Sequence, residues 1–223
     1  MRCIVTGGAG FIGSNLVDKL IDEGHEVIIF DNYSTGKKEN INPNAKFFLV
    51  DIAHQPYFET DTMKDIMSGV DVVFHLAALA RVQPSIENPI EYHNTNINGT
   101  LNMLDACRKY NVKRFVFSSS SSVYGDVREE DLPTSENSEL NPMSPYALHK
   151  LVGEQYCKLY SELYGLETVS LRYFNVYGER QPIEGAYTLV MGVFAQQRLN
   201  GEKMTIRGDG EQRRDFTYVG DVV

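Results

Sequence analysis

Glycines 7, 10 and 13 follow directly on the apolar run Cys3-Ile4-Val5 and precede a segment whose apolar residues, Leu16, Val17, Leu20 and Ile21, recur at helical spacing. A strand that becomes a helix through Gly7-x-x-Gly10-x-x-Gly13 has few ways to fold. The glycines let the backbone approach a pyrophosphate, which then rests against the unpaired N–H groups of the helix start. A tight strand-to-helix turn also favours glycine, but it does not require three at this spacing. Gly7, Gly10, Phe11, Ile12 and Gly13 are therefore expected to hold a dinucleotide.

The alternation continues along the chain. Val27–Phe30, Phe47–Val50, Val72–Leu76, Phe115–Phe117 and Thr168–Leu171 read as strands, with helix-period segments between most of them. Runs this apolar are expected to be buried on both faces, as in a parallel sheet between helices. The expected class is α/β: a Rossmann-like doubly wound parallel sheet over residues 1–173, then part of a smaller C-terminal substrate region over 174–223. The polar, acidic stretch 126–141 reads as a surface connection. Gly220-Asp221-Val222-Val223 looks like a helix just beginning, which suggests that the chain stops short of a complete domain.

Charge and cysteines narrow the function. A net charge of −9 and the lack of a Lys/Arg run argue against a nucleic-acid partner. Cys3, Cys107 and Cys157 are odd in number, lie in apolar stretches and lack metal-ligand spacing, so they read as buried thiols in a reducing cytoplasm, with no metal site. No leader precedes the first strand, and no apolar run approaches membrane length, so no membrane role is expected.

The strand ends carry the candidate site. Asp31 closes the second strand, where a carboxylate can accept both ribose hydroxyls of an adenosine and repel a 2′-phosphate, favouring NAD over NADP. Asp51-Ile52 closes the third strand and either holds an adenine edge or is an ordinary strand-to-loop pair. The small residues of Leu76-Ala77-Ala78 allow close passage of a cofactor, or simply pack. Further on, Ser144 suits a helix cap and Pro145 the first helical position, so Tyr146 begins a helix with Lys150 one turn later on the same face. A phenol with pKa near 10 needs about 4 kcal/mol of differential stabilisation to be half ionised at pH 7. A nearby ammonium and a cationic nicotinamide can supply it in a dry site, so the pair reads as a general base. Tyr33 and Lys37 share the spacing by chance, in a Ser-Thr-Gly loop.

Taken together, Gly7–Gly13, Asp31, His75–Ala78, Asn96–Thr100, Ser118–Gly125, Tyr146/Lys150 and Leu171–Asn175 resemble, in order and spacing, the extended short-chain dehydrogenase/reductases. Within that family the chain is similar to the NAD-dependent UDP-hexose 4-epimerases, over all 223 residues. The resemblance implies that Tyr146 takes the proton of the sugar 4-hydroxyl, that Lys150 binds the nicotinamide ribose, and that Ser120 relays or shares the proton. Five consecutive serines leave that register open locally. The resemblance further places Asn32, Thr35 and Gly36 near the adenosine phosphate side and Asn96, Ser118 and Tyr173 in the cofactor pocket. It puts Asn175 and Arg214 on the substrate diphosphate, and Gly185-Ala186-Tyr187 in a substrate-facing loop. It implies a homodimer through the helices around Leu101–Cys107 and Tyr146–Tyr164. Two departures bear on activity. Dehydratases and decarboxylases of the family carry acidic residues between the catalytic hydroxyl and Val-Tyr-Gly, where this chain has Ser121 and Ser122. Arg81 stands where some epimerases have a lysine, and it takes no role. The remaining alternatives are a nucleotide-sugar 4,6-dehydratase or decarboxylase, and a non-catalytic NAD-binding module.

Overall fold

The computed structural model describes residues 1–182, 190–206 and 208–223. The chain opens with β1 (Arg2–Thr6), α1 (Phe11–Asp22), β2 (Glu26–Asp31), β3 (Lys46–Leu49), α2 (Asp61–Met67) and β4 (Val72–His75). It continues through α3 (Val82–Glu87), α4 (Pro89–His93), a π-helical stretch (Asn94–Asn98), α5 (Gly99–Lys109), β5 (Arg114–Ser120), α6 (Pro145–Tyr164) and β6 (Glu167–Tyr173). It closes with β7 (Val176–Tyr177), α7 (Val190–Leu199), β8 (Thr217–Tyr218) and α8 (Val219–Val222).

Six strands form one parallel sheet in the order β3-β2-β1-β4-β5-β6. Strand order reverses between β1 and β4, the position at which open α/β sheets offer a crevice beyond the strand ends. Alternation along each inner strand supplies both cores. Ile4, Ile28, Phe30, Val73 and Phe115 join Met63, Met103, Cys107 and Cys157 on one face, while Cys3, Val5, Val27 and Ile29 meet Val17 and Leu20 of α1 on the other. The inner runs are thus buried on both faces, as expected. The edge strand β6 differs: Val169 and Leu171 stay 43% and 36% exposed, because α6 covers only the opposite face.

Local chemistry sets the helix ends. Thr60 Oγ1 caps α2 by accepting the Met63 N–H at 3.2 Å. Ser144 caps α6 through the Ala147 N–H at 3.1 Å, with Pro145 as its first residue, and left-handed Gly165 ends it at φ 72°. By contrast α1 has Gly10 at its cap, no side-chain cap and no acidic residue in its first turn, so its leading N–H groups are left free. Beyond Tyr173 the main sheet stops, and β7 and β8 form a separate parallel pair in which Val176 meets Thr217.

Candidate active site

The glycine turn is shaped by close approach. Gly7 has φ +71°, and a Cβ there would lie 2.8 Å from the Ala77 nitrogen, so the ends of β1 and β4 close on each other only with glycine at this position. At Gly13 a Cβ would run into the Gly7 carbonyl, so the first turn of α1 sits directly on the glycine turn. Phe11 and Ile12 lie in that first turn. Beside it a cleft is lined by Gly7, Asp31, Asn32, Thr35, Ile52 and Ala77, with Thr95 from the π-helical stretch.

Several expected cofactor residues meet here, though not all in the expected way. The Asp31 carboxylate is buried and already accepts the N–H groups of Ala9 (3.0 Å) and Tyr33 (2.7 Å), stapling two loops together. Each carboxylate oxygen keeps a further lone pair for the cleft. Gly36 packs against it, where a Cβ would come within 2.8 Å of Asp31 Oδ1. Ile52 lines the cleft, whereas exposed Asp51 turns back to accept its own loop's Ala53 N–H at 2.9 Å. Asn96 is buried and clamps the backbone of Leu79 through two bonds of 2.9 Å, so its amide shapes the loop after Ala77 and Ala78.

Below that loop runs a chain of hydrogen bonds that gives His75 one tautomer. Thr100 Oγ1 spends its single proton on the Asn96 carbonyl (2.7 Å), so it accepts from His75 Nε2 (3.0 Å). Thr6 Oγ1 accepts the Ala77 N–H (3.1 Å) and so gives its proton to His75 Nδ1 (2.9 Å). A neutral ring protonated on Nε2 satisfies every partner. Burial, and then the charge of Lys150, push the His75 pKa down to about 3.

Tyr146 and Lys150 are both buried on the face of α6 that meets β5. Ser85, from α3, accepts the Tyr146 backbone N–H at 3.1 Å, so a residue 61 positions away holds the start of this helix. Lys150 Nζ donates to the Ser118 carbonyl at 2.7 Å and stands 5.0 Å from the Phe117 ring and 5.9 Å from the Tyr146 ring. Burial lowers its pKa to about 8. The phenol of Tyr146 goes the other way. Burial raises its pKa, a hydrogen bond with Ser120 pulls it down, and the Tyr92 phenol adds to the rise. The lowering expected from Lys150 is not among these effects, and ionising Tyr146 calls for further positive charge.

Of the five serines, Ser120 is the one that acts on the Tyr146 phenol. Ser120 Oγ accepts both the Ser122 N–H (3.2 Å) and the Ser122 hydroxyl (2.9 Å), which leaves its own proton for Tyr146. Ser118 Oγ lies 3.5 Å from the Tyr173 hydroxyl. Ser119 faces away and donates to Glu154, which also grips Arg172 at 2.7 and 2.9 Å. Ser85 and Glu154 were not singled out from the sequence, while His75 was named there only within a motif and Ser122 only as a missing carboxylate. Of these only Glu154 carried a signal, being one and two turns beyond Lys150 and Tyr146.

The expected substrate residues lie at the small sheet. Asn175 Nδ2 donates to the Asp215 carbonyl at 2.9 Å, which brings the neighbourhood of Arg214 beside it, but exposed Arg214 turns its guanidinium onto the carbonyl of Arg213 at 2.6 Å. Arg81 takes the cap position of α3 with its backbone against the Tyr92 phenol. Tyr33 and Lys37 lie in a loop, with Tyr33 stacked 5.0 Å from Phe47. Gly185-Ala186-Tyr187 falls outside the described residues. Among the described residues no cluster could hold a metal ion, and no helix is long and apolar enough to cross a membrane.

A parallel sheet with a glycine cradle at its switch point, and a Tyr–Lys pair on the neighbouring α6, is the frame of a dinucleotide-binding α/β protein. The chain belongs to the NAD dependent epimerase/dehydratase family, whose model matches residues 3–223. It is 50% identical over 220 residues to a Methanocaldococcus jannaschii protein provisionally named a UDP-glucose 4-epimerase, covering 98% of this chain and 70% of that one. Among solved structures it resembles the Thermotoga maritima UDP-glucose 4-epimerase with UDP-glucose (44% identity, TM-score 0.93, 100% of this chain and 71% of that one). It also resembles the Thermus thermophilus UDP-glucose 4-epimerase complex with NAD (41% identity, TM-score 0.90, 100% and 72%).

Proposed function

We propose that this chain is the cofactor-binding and catalytic part of a UDP-hexose 4-epimerase, with residues 1–173 as the NAD-binding unit and 174–223 as the beginning of the substrate region. The observation that carries this is the meeting of the Tyr146 phenol, the Ser120 hydroxyl and the Lys150 ammonium on α6 and β5, next to the glycine cradle. The cradle fits a dinucleotide: the uncapped start of α1 offers N–H groups to a pyrophosphate, and the Asp31 carboxylate retains acceptor capacity at the adenosine end. NAD, when bound, supplies the hydride acceptor and donor for the sugar carbon.

The protein's own groups do the rest. Tyr146 takes the proton of the sugar 4-hydroxyl, directly or through Ser120, whose hydroxyl stands beside the phenol. Lys150 uses one N–H to hold the end of β5 and keeps two for the cofactor ribose. Its ammonium also favours the phenolate against the cost of burial. Asn175 and Arg214 bind the diphosphate, Arg214 by swinging off its own backbone. Since hydride leaves and returns to the same carbon, no net redox change occurs.

Ser121 and Ser122 favour epimerisation over elimination or decarboxylation, because neither supplies a carboxylate to move a proton. Incubation with UDP-galactose should yield UDP-glucose with the free NADH pool unchanged. A 4-keto-6-deoxy product instead would make the protein a dehydratase, and NAD binding without turnover would make it a non-catalytic module. Leu159, Leu163 and Tyr164 stand 45%, 67% and 52% exposed along α6, which supports pairing of α5 and α6 with a second copy into a homodimer. Three free buried thiols fit a cytoplasmic setting.

A further inference from the structure

Three residues of α6 meet three consecutive serines of β5. Ser120 stands close enough to the Tyr146 phenol to pull its pKa down, Lys150 holds the Ser118 carbonyl, and Glu154 accepts the Ser119 hydroxyl. Tyr146, Lys150 and Glu154 are four residues apart, so they form a single row along the helix. The first two belong to the proposed chemistry; Glu154 has no part in it.

Glu154 is nevertheless firmly held. Its carboxylate makes a two-pronged bond to Arg172 at 2.7 and 2.9 Å, with the two side chains only 9% and 18% exposed. Arg172 lies opposite Ser119 in the register of β5 and β6, so both approach Glu154 from one face of the sheet. The guanidinium also reaches the Tyr124 hydroxyl at 2.9 Å and the Glu136 carbonyl at 3.0 Å. Tyr124 ends the short turn Ser121–Tyr124 that begins immediately after Ser120. The serine that meets the base is therefore gripped on both sides.

Such a grip matters because the serine run itself offers none. Successive side chains of a strand point to opposite faces, so a slip of one residue would bring Ser119 or Ser121 to the phenol in place of Ser120. Buried Phe115 and Phe117 set the register of the strand before the run, but five identical side chains present no difference in size or polarity to hold its end. Fixing Ser119 against the body of α6 sets the end of β5, where Ser120, its last residue, meets Tyr146 in the first turn of the helix.

Taking Tyr146 as the base and Ser120 as its partner, we propose that Glu154, held by Arg172, is a positioning residue that acts through Ser119 to set which serine of the run stands beside Tyr146. A double-substitution cycle tests this on two quantities: the pKa of the Tyr146 phenol, followed by carbon NMR of tyrosine-labelled protein and assigned with Tyr146→Phe, and kcat against KM for UDP-galactose. Ser119→Ala removes the link to Glu154 but leaves the ion pair, so it keeps the test open if Glu154→Gln does not fold. Ser120→Ala should raise the phenol pKa by removing its donor. Ser119→Ala and Glu154→Gln should raise it in the same direction and lower kcat between about ten- and a hundredfold with little change in KM, the scale of a small misplacement. Ser119→Thr should restore both. Added to Ser120→Ala, neither substitution should move the pKa or kcat further.

A purely structural role predicts something else: lower melting temperatures in both backgrounds, with the phenol pKa unmoved. That result, or equal penalties with and without Ser120, overturns the positioning role. If Ser120→Ala itself changes nothing, the assignment of Ser120 falls, and the positioning role with it.

Discussion

At the scale of single residues, the site sets burial against charge. Tyr146→Phe removes the proton acceptor but keeps the ring, so turnover should vanish while NAD and UDP-sugar binding persist in a titration. Ser120→Ala should slow turnover about 10²–10⁴-fold, and Tyr33→Phe, in the chance match, should leave it unchanged. Wild-type turnover by Tyr146→Phe would falsify the assignment of the base. Lys150 has a folded pKa of about 8 against an ordinary 10.5, so the unfolded chain binds the extra proton between those values. Its burial cost is full below pH 8 and disappears as pH rises through 10.5. Lys150→Met should therefore be no less stable than wild type at pH 7 by urea unfolding, while losing activity and cofactor retention. His75 also has a depressed pKa, and here the stabilised form is the neutral one. Its contribution is full above pH 6.5 and is lost as pH falls toward about 3, by up to about 1.4 kcal/mol per pH unit. Unfolding followed from pH 7 to 4 should show a shallower fall for His75→Asn than for wild type.

At the scale of elements, the start of α6 shows how chain segments far apart build one site. Ser144 caps it locally, and that cap, with Pro145, was legible in the sequence because capping is a nearest-neighbour effect. The second bond, from the Tyr146 N–H to Ser85, joins α6 to α3 and leaves no local trace. Ser85 is fully buried, so Ser85→Ala should leave that N–H unpaired at a cost of about 1–3 kcal/mol. The measurement is chemical denaturation, and kcat should fall with it because the unpaired group belongs to Tyr146 itself. The uncapped α1 is the counterpart: the groups that capping would satisfy are kept for a ligand.

At the scale of the whole molecule, exposed Leu159 and Leu163 make assembly testable. Sedimentation at micromolar concentration should show a dimer that Leu163→Glu converts to monomer, since a charge on the paired face would have to be buried unpartnered. The sequence by itself determined the strands, their parallel sense, the glycine turn and the Tyr146/Lys150 row, because apolar periodicity, glycine spacing and capping act over a few residues. It could not decide the edge: Thr168-Val169-Ser170-Leu171 alternates polar and apolar residues, yet the strand order leaves the apolar Val169 and Leu171 exposed. It could not decide how side chains with several possible partners are used. Asp51 and Asn96 were both plausible at a cofactor, yet one closes its own turn and the other clamps Leu79. Nor could it choose among five serines. Ser119 is held by residues of α6 and β6 more than thirty positions away, because a hydrogen bond takes its partner from what the fold brings within reach.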